Sequence, residues 1–273
     1  MHEQTSPLQP DQDGTRWNAH AASYEAVFEH LTDAFAARAL DGLEPLAGAR
    51  LVDLGAGAGG AAVQAVARGA HVTAFDASAA MVTRIRARAG LAVRAEVADA
   101  REPLPCADGE FDAALSCLGL VLLPDPVPAL QELGRVLRPG GRLAVVTWTE
   151  PQHYELAVRL WAAIAAVRGA PPPPGPVPAQ LRYTDPSAFG ALVAAGGFAV
   201  RGVERVEARL HAASARALAG ALGFAPGMAA LLGTLGPYRA AVERAFAAGL
   251  EADQGEGPVA LRAVAQVCLA RRA

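Results

Sequence analysis

Lysine is absent from this sequence: every residue of the lysine-plus-arginine total of 24 is arginine. That excludes a P-loop lysine, a Schiff-base lysine and a lysine general base together. Cysteine is scarce, and the three present (Cys106, Cys117 and Cys268) are odd in number and too widely spaced for a disulfide or metal framework. The acids and histidines also fall at no metal-ligand spacing, so no metal is expected. Aromatic residues make up 5% of the chain and the net charge is −3, which leaves neither a base-stacking platform nor a basic stripe. Long apolar runs are missing too: Leu118–Leu123, for one, stops at Pro124 and is too short to span a bilayer. Residues 1–13 are polar and acidic, with no apolar targeting segment. These absences predict a cytoplasmic protein, a monomer or homodimer, whose partner is a small molecule and neither nucleic acid nor membrane.

What the chain does have is apolar content, 52% with a mean hydropathy of +0.22, enough for a well-filled core. It is organised around residues 50–60. Leu51, Val52 and Leu54 read as a buried parallel strand, which Asp53 interrupts just before a turn of Gly55, Gly57, Gly59 and Gly60. A helix follows from Ala61 and closes at Gly69. Strand, glycine turn and helix let a ligand touch bare backbone at a helix N-terminus. Gly55, Gly57 and Gly60 satisfy G-x-G-x-x-G, so the turn alone fits a dinucleotide or another adenosine cofactor. The acid inside the strand leans toward the second.

Residues 1–15 read as a flexible tail, and the spacing of Trp17, Ala21, Tyr24, Val27, Phe28, Leu31 and Phe35 predicts one helix from Trp17 to Leu40. Further strands are expected at 71–76, 91–97, 111–117 and 142–148, with helices between them, the first capped by Ser78 and the last over 127–137. Strands at 198–210 and 259–269 form an antiparallel pair, and 214–250 reads as two helical runs beyond the proline-rich connector Pro171–Pro178. The pattern predicts an α/β fold with a doubly wound, mostly parallel, seven-stranded sheet and helical cap insertions. Residues 16–273 form one domain, with a cofactor core at 42–149 and cap segments 16–41, 150–183 and 211–257. Asp76, Asp99, Ser116, Cys117 and Thr149 fall at carboxyl ends of strands, where such sheets bind ligands. Leu218, Leu222, Phe224, Met228, Leu231 and Leu232, with His153 and Tyr183 as isolated polar groups, are the expected apolar pocket.

Leu51-Val-Asp-Leu-Gly-Ala-Gly-Ala-Gly59, then Asp76, Asp99 and Leu137-Arg-Pro-Gly-Gly141, resemble the class I S-adenosylmethionine-dependent methyltransferases. Within them the chain is similar to the ubiquinone/menaquinone-biosynthesis-like, small-molecule group. Trp17-Asn18-x-x-Ala21-x-x-Tyr24 resembles that group's N-terminal signature, which more often has Asp where this chain has Asn18. The resemblance covers residues 17–148. It implies a Rossmann-like fold and methyl transfer by in-line displacement to a small, apolar or aromatic acceptor at O, N or C, giving S-adenosylhomocysteine. It places backbone of Gly55, Ala56 and Gly57 beside the methionine portion, Asp76 and Ala77 at the ribose, and Asp99 and Ala100 at the adenine edge. Met81 would pack on the adenine ring, Asp53 hold the turn or the methionine amine, and Tyr24 reach over the carboxylate or sulfonium. Ser116 and Cys117 complete the expected cofactor contacts. Where the acceptor must lose a proton, His153 is the candidate base, with His20 and His211 behind it. Two rivals remain at this point: a nicotinamide-dependent oxidoreductase, which would lack a Tyr-x-x-x-Lys pair, and a non-catalytic adenosylmethionine-binding protein.

Overall fold

A computed structural model of the chain describes residues 7–170 and 177–273, so the expected proline connector lies, up to Pro176, outside the described residues. Strands β1 (Arg50–Leu54), β2 (His71–Asp76), β3 (Val93–Val97), β4 (Phe111–Cys117), β5 (Leu137–Trp148), β6 (Phe198–Ala212) and β7 (Val259–Arg272) make one sheet, in the order β3-β2-β1-β4-β5-β7-β6. The pairs among β1 to β5 are parallel, whereas β7 runs antiparallel to both β5 and β6. The expected terminal pair therefore enters with β7 in the interior and β6 as the outer edge. The helices are α1 (Ala21–Val27), α2 (Glu29–Gly42), α3 (Gly60–Ala67), α4 (Ala79–Ala89), α5 (Val127–Val136), α6 (Glu155–Arg168), α7 (Pro186–Ala195), α8 (Ala215–Gly220), α9 (Pro226–Thr234) and α10 (Arg239–Gln254). None of the described helices is long and apolar enough to cross a membrane.

Period-2 alternation divides the core into two layers. Val52 and Leu54 of β1 join Phe75, Val145, and Leu130 and Leu133 of α5 on one face. Leu51 joins Leu31 and Phe35 of α2, with Val146 and Val267, on the other. Asp53 shares the Leu51 parity, and the strand thereby aims a carboxylate at the face that α2 covers.

Side-chain caps fix several helix starts. Ser78 accepts from the Met81 amide at the head of α4, Asp185 from Ala188 in α7, and Ser214 from Ala217 in α8. Asn18 Oδ1 accepts from Ser78 Oγ (2.8 Å) and from the Ala80 amide (3.0 Å), an acceptor role that asparagine fills as well as aspartate.

Several expectations are corrected. The helix read as continuous from Trp17 to Leu40 is a 3-10 turn (Gly14–Ala19) followed by α1 and α2, with a break at Phe28. The break lets Phe28 stack on Phe224, with ring centroids 4.5 Å apart, while Leu31 and Phe35 pack on the sheet. Residues 9–15, expected within the tail, are folded: Gln9 donates to Val177 O (3.0 Å) and accepts from the Ala179 amide (2.9 Å). Asp11 accepts from the Gly227 amide at 2.6 Å. The 214–250 region holds three helices rather than two. On α4, Arg84 and Arg88 pair with Glu25, and Arg88 also with Glu29. In β3, Val93 and Ala95 are buried, but Val97 is 54% exposed.

Candidate active site

The sheet order reverses between β1 and β4, and the ends of those strands meet backbone to backbone. A Cβ built on Gly55 would lie 3.0 Å from the Gly119 Cα, and one on Gly119 would lie 3.0 Å from the Gly55 Cα. Gly119 was not singled out in the sequence, although a glycine inside the apolar run after a strand is the usual mark of such an approach. Next to it, Leu118 holds a left-handed backbone, φ 63°, where only glycine is unstrained.

Asp76, closing β2, ties the glycine turn to the next helix. Its Oδ2 accepts from the Gly57 amide (2.9 Å) and its Oδ1 from the Ser78 amide (2.8 Å). Burial nevertheless pushes its carboxyl up to about 6, against the lowering effect of the two amides. Asp53 is 1% exposed, and its Oδ2 has no partner among the described residues. Burial first, then the charges of Asp76 and Asp33, push Asp53 up to about 7. Tyr24 lies against the turn, its ring 3.3 Å from where a Cβ of Gly57 would sit, with its hydroxyl 3.0 Å from Thr32 Oγ1. Met81, buried among Ala21, Ala58, Trp17 and Tyr24, sits beside Ala77. Asp99 and Ala100 line the same space, but the Asp99 carboxylate is held by Arg101 (2.5–3.0 Å), which lowers its pKa.

These groups open into a cavity of about 600 Å³. One end is formed by Gly55, Gly57, Asp76, Ala98, Asp99 and Ala100; the other by Trp148, Tyr154, Trp161, Phe224, Met228 and Leu231. All three tryptophans of the chain line it. No arginine or histidine among the described residues does, so its charged side chains are Asp11, Asp76 and Asp99 alone. The Trp148 and Tyr154 rings stack at 4.7 Å, and Phe28 bridges Trp148 to Phe224. Residues 9–17 cross the mouth, with Trp17 Nε1 donating to Asp11 O (3.1 Å) and Asp11 reaching the first turn of α9. Arg182 donates to the carbonyls of Pro124 (2.6 Å), Val121 (3.0 Å) and Leu123, fixing the loop that supplies Leu122 and Leu123 to the wall.

The expected site residues therefore divide. Tyr24, Gly55, Gly57, Asp76, Ala77, Met81, Asp99, Ala100 and Cys117 come together around the cavity. Asp53 and Ala56 line a smaller pocket behind the turn. Ser116 does not reach the cavity: it is fully buried, donating to Leu54 O (2.7 Å) and accepting from the Leu120 amide (3.0 Å). Thr149 likewise spends its hydroxyl on Val264 O at 2.9 Å. The Cys117 thiol lies in the wall, and burial raises its pKa far above neutrality, so it is a packed thiol rather than a nucleophile.

His153 lies outside the wall, its Nδ1 3.2 Å from Glu150 Oε2 and 3.5 Å from Thr149 Oγ1. His20 is turned to the Gly223 carbonyl (3.0 Å) and His211 to His30, so none of the candidate bases lines the cavity. In the expected apolar pocket, Phe224, Met228 and Leu231 face the cavity, whereas Leu218, Leu222 and Leu232 are core. Tyr183 is absent from the wall, and its carbonyl accepts from Gln266.

The raised carboxyls carry a stability consequence. Asp53 (about 7) and Asp76 (about 6) sit above their ordinary value of 3.8, so between that value and neutrality the folded protein binds more protons than the unfolded chain. Stability of the ligand-free protein therefore falls as pH rises through this window. Thermal midpoints taken from pH about 5 to about 8 should decline, and Asp53→Asn should flatten much of that decline. An unchanged slope in the variant would remove Asp53 as its source.

A family described as a methyltransferase domain matches residues 52–145. Over that segment the chain carries a methyltransferase domain. An uncharacterised protein of Mycobacterium tuberculosis is 40% identical over 105 residues, covering 37% of this chain and 38% of its own length. A demethylmenaquinone methyltransferase of Clavibacter sepedonicus is 41% identical over 109 residues, 39% of this chain and 44% of its own. The match thus spans about two fifths of these curated relatives' length. In fold, the [4+2]-cyclase SpnF is similar over 97% of both chains, with a TM-score of 0.60 at 20% identity. The family match runs from β1 to β5, so the methyltransferase domain's matched segment holds the glycine turn, Asp76 and Asp99. Residues 9–32, 148–161 and 224–234, which wall the apolar end, lie outside it.

Proposed function

We propose that this chain binds S-adenosylmethionine at the glycine-turn end of the cavity and methylates a small apolar or aromatic metabolite held at the other end. The observation that carries this reading is the cavity itself: one continuous space joins bare backbone and carboxylates to an aromatic chamber, with no cation in its wall among the described residues. The residues fit the cofactor. The glycine turn admits backbone contact, Asp76 retains a lone pair on each oxygen for a ribose diol, and Asp53 presents a buried oxygen without a partner. They fit a dinucleotide poorly, since a pyrophosphate would face Asp76 with no arginine in the wall, among the described residues, to neutralise it.

Bound S-adenosylmethionine would supply an activated methyl group on a sulfonium. The protein's part is placement: Trp148, Tyr154, Phe224 and Met228 hold the acceptor by surface burial, at about 25 cal/mol per Å², and residues 9–17 exclude water across the mouth. Positioning of this kind is worth roughly 7–11 kcal/mol of barrier.

Met228 is half-buried, and its truncation probes the acceptor end without opening the core. Met228→Ala should change acceptor affinity severalfold, the value of a few buried methylene groups, and leave S-adenosylhomocysteine affinity unchanged. Radiolabelled methyl transfer tests the reading as a whole. Label is expected in the small-molecule fraction of an extract; label confined to RNA, DNA or protein would overturn the acceptor class.

A further inference from the structure

Behind the glycine turn lies a second, small pocket of about 20 Å³, bounded by Tyr24, Glu29, Thr32, Asp33, Asp53 and the backbone of Gly55–Ala56 and Gly60–Ala61. Three carboxylates reach it, from two elements, and they are not equivalent. Glu29 is satisfied: its Oε1 accepts from the Gly60 amide (3.0 Å) and its Oε2 from Arg88 (2.7 Å). Asp53 has a fully buried Oδ2 without a partner. The Asp33 carboxylate, one turn along α2 from Glu29, accepts no hydrogen bond among the described residues. It sits so close over the start of α3 that a Cβ on Gly60 would meet its Oδ1 at 1.8 Å. A side chain at Gly60 would displace this carboxylate, which comes from α2, outside the family match.

The orphaned, buried Asp53 oxygen and the half-buried Asp33 carboxylate, facing one small space, suit a compact cation with several N–H donors. Among the described residues no such cluster is arranged to hold a metal. We propose that Asp33, together with Asp53, forms the seat for the methionine ammonium of the adenosine cofactor and selects ammonium-bearing cofactors over nucleotide phosphates. This rests on the S-adenosylmethionine reading of the larger cavity, and adds to it a specificity-determining residue on α2.

The seat has a proton signature. Burial, then Glu29, push Asp33 up to about 6 against the pull of Arg88; burial, then Asp76 and Asp33, push Asp53 up to about 7. Tyr24 and Cys117, the other titratable groups here, stay neutral because burial raises both. An ammonium needs both acids ionised, so its binding near neutrality releases protons to the buffer.

The test is calorimetric, on the full chain, with S-adenosylhomocysteine and 5′-methylthioadenosine, which lacks the amino-acid portion, in buffers of different ionisation enthalpy. Asp33→Asn is expected to weaken S-adenosylhomocysteine by roughly ten- to a hundredfold, the span of one charge-assisted hydrogen bond. It should leave 5′-methylthioadenosine within about twofold and reduce the protons released by the first ligand. Asp33→Ser, which removes the same charge, should behave alike, and neither variant strands a hydrogen-bond donor. Unchanged S-adenosylhomocysteine affinity, or an equal loss for both ligands, overturns the proposal while leaving the cofactor reading in place. Wild-type protein that binds neither ligand overturns both.

Discussion

Asp76→Ala should weaken S-adenosylhomocysteine binding more than any other single substitution in the wall, by roughly 1.5–3 kcal/mol for each charged hydrogen bond to the ribose that is lost. The carboxylate has two duties. Each oxygen already accepts one backbone amide, from Gly57 and Ser78, and each keeps capacity for one hydroxyl. Alanine removes the ribose acceptors and also leaves both amides unsatisfied, loosening the turn that the methionine portion is to lie against. Asp76→Asn is no milder, because an amide must turn its NH₂ group toward one of two N–H donors. Isothermal calorimetry on the folded variant checks this; wild-type affinity would take Asp76 out of the cofactor site.

Gly119→Ala should damage the fold and the site together. The added methyl would stand 3.0 Å from the Gly55 Cα and 3.1 Å from the Gly55 carbonyl oxygen, both backbone atoms that cannot rotate aside. The ends of β1 and β4 must then separate, at a cost of about 1–3 kcal/mol typical of overpacking, with loss of cofactor affinity because the turn moves. Gly249→Ala is the control: it lies in α10 with open space around it and should gain about 0.5–1 kcal/mol from helix propensity. Denaturant unfolding of the two variants should give opposite signs. Equal effects would mean that the Gly55–Gly119 contact constrains nothing.

Much of this architecture could be read from the chain because its signals are local. Each parallel strand is a short apolar run closed by a turn residue, and β1 to β4 appear within a few residues of where the pattern puts them. Asp76 and the glycine turn were legible for the same reason, since strand-end acid and positive-φ glycine are one-residue signals. Long-range placement was not legible. The apolar spacing through Phe28 is unbroken, and nothing local reveals that the chain bends there to reach Phe224, far along the sequence. Residues 9–15 look like a solvated tail because the partners that order them, Ala179 and Gly227, are remote. His153 follows a strand end that points to the site, but the turn Pro151–His153 rotates its ring toward Glu150. Helix α9 is apolar on two sides, so spacing alone could not assign Leu232 to the core and Met228 and Leu231 to the cavity.

The central claim is that the glycine-turn end of the cavity is built for an ammonium- and sulfonium-bearing adenosine cofactor and not for a dinucleotide. Side-by-side calorimetric titration of the wild-type protein with S-adenosylmethionine, S-adenosylhomocysteine and NAD tests it most directly. The account predicts saturable one-to-one binding of the first two and none of NAD; tight binding of NAD with no heat from either adenosyl compound would contradict it.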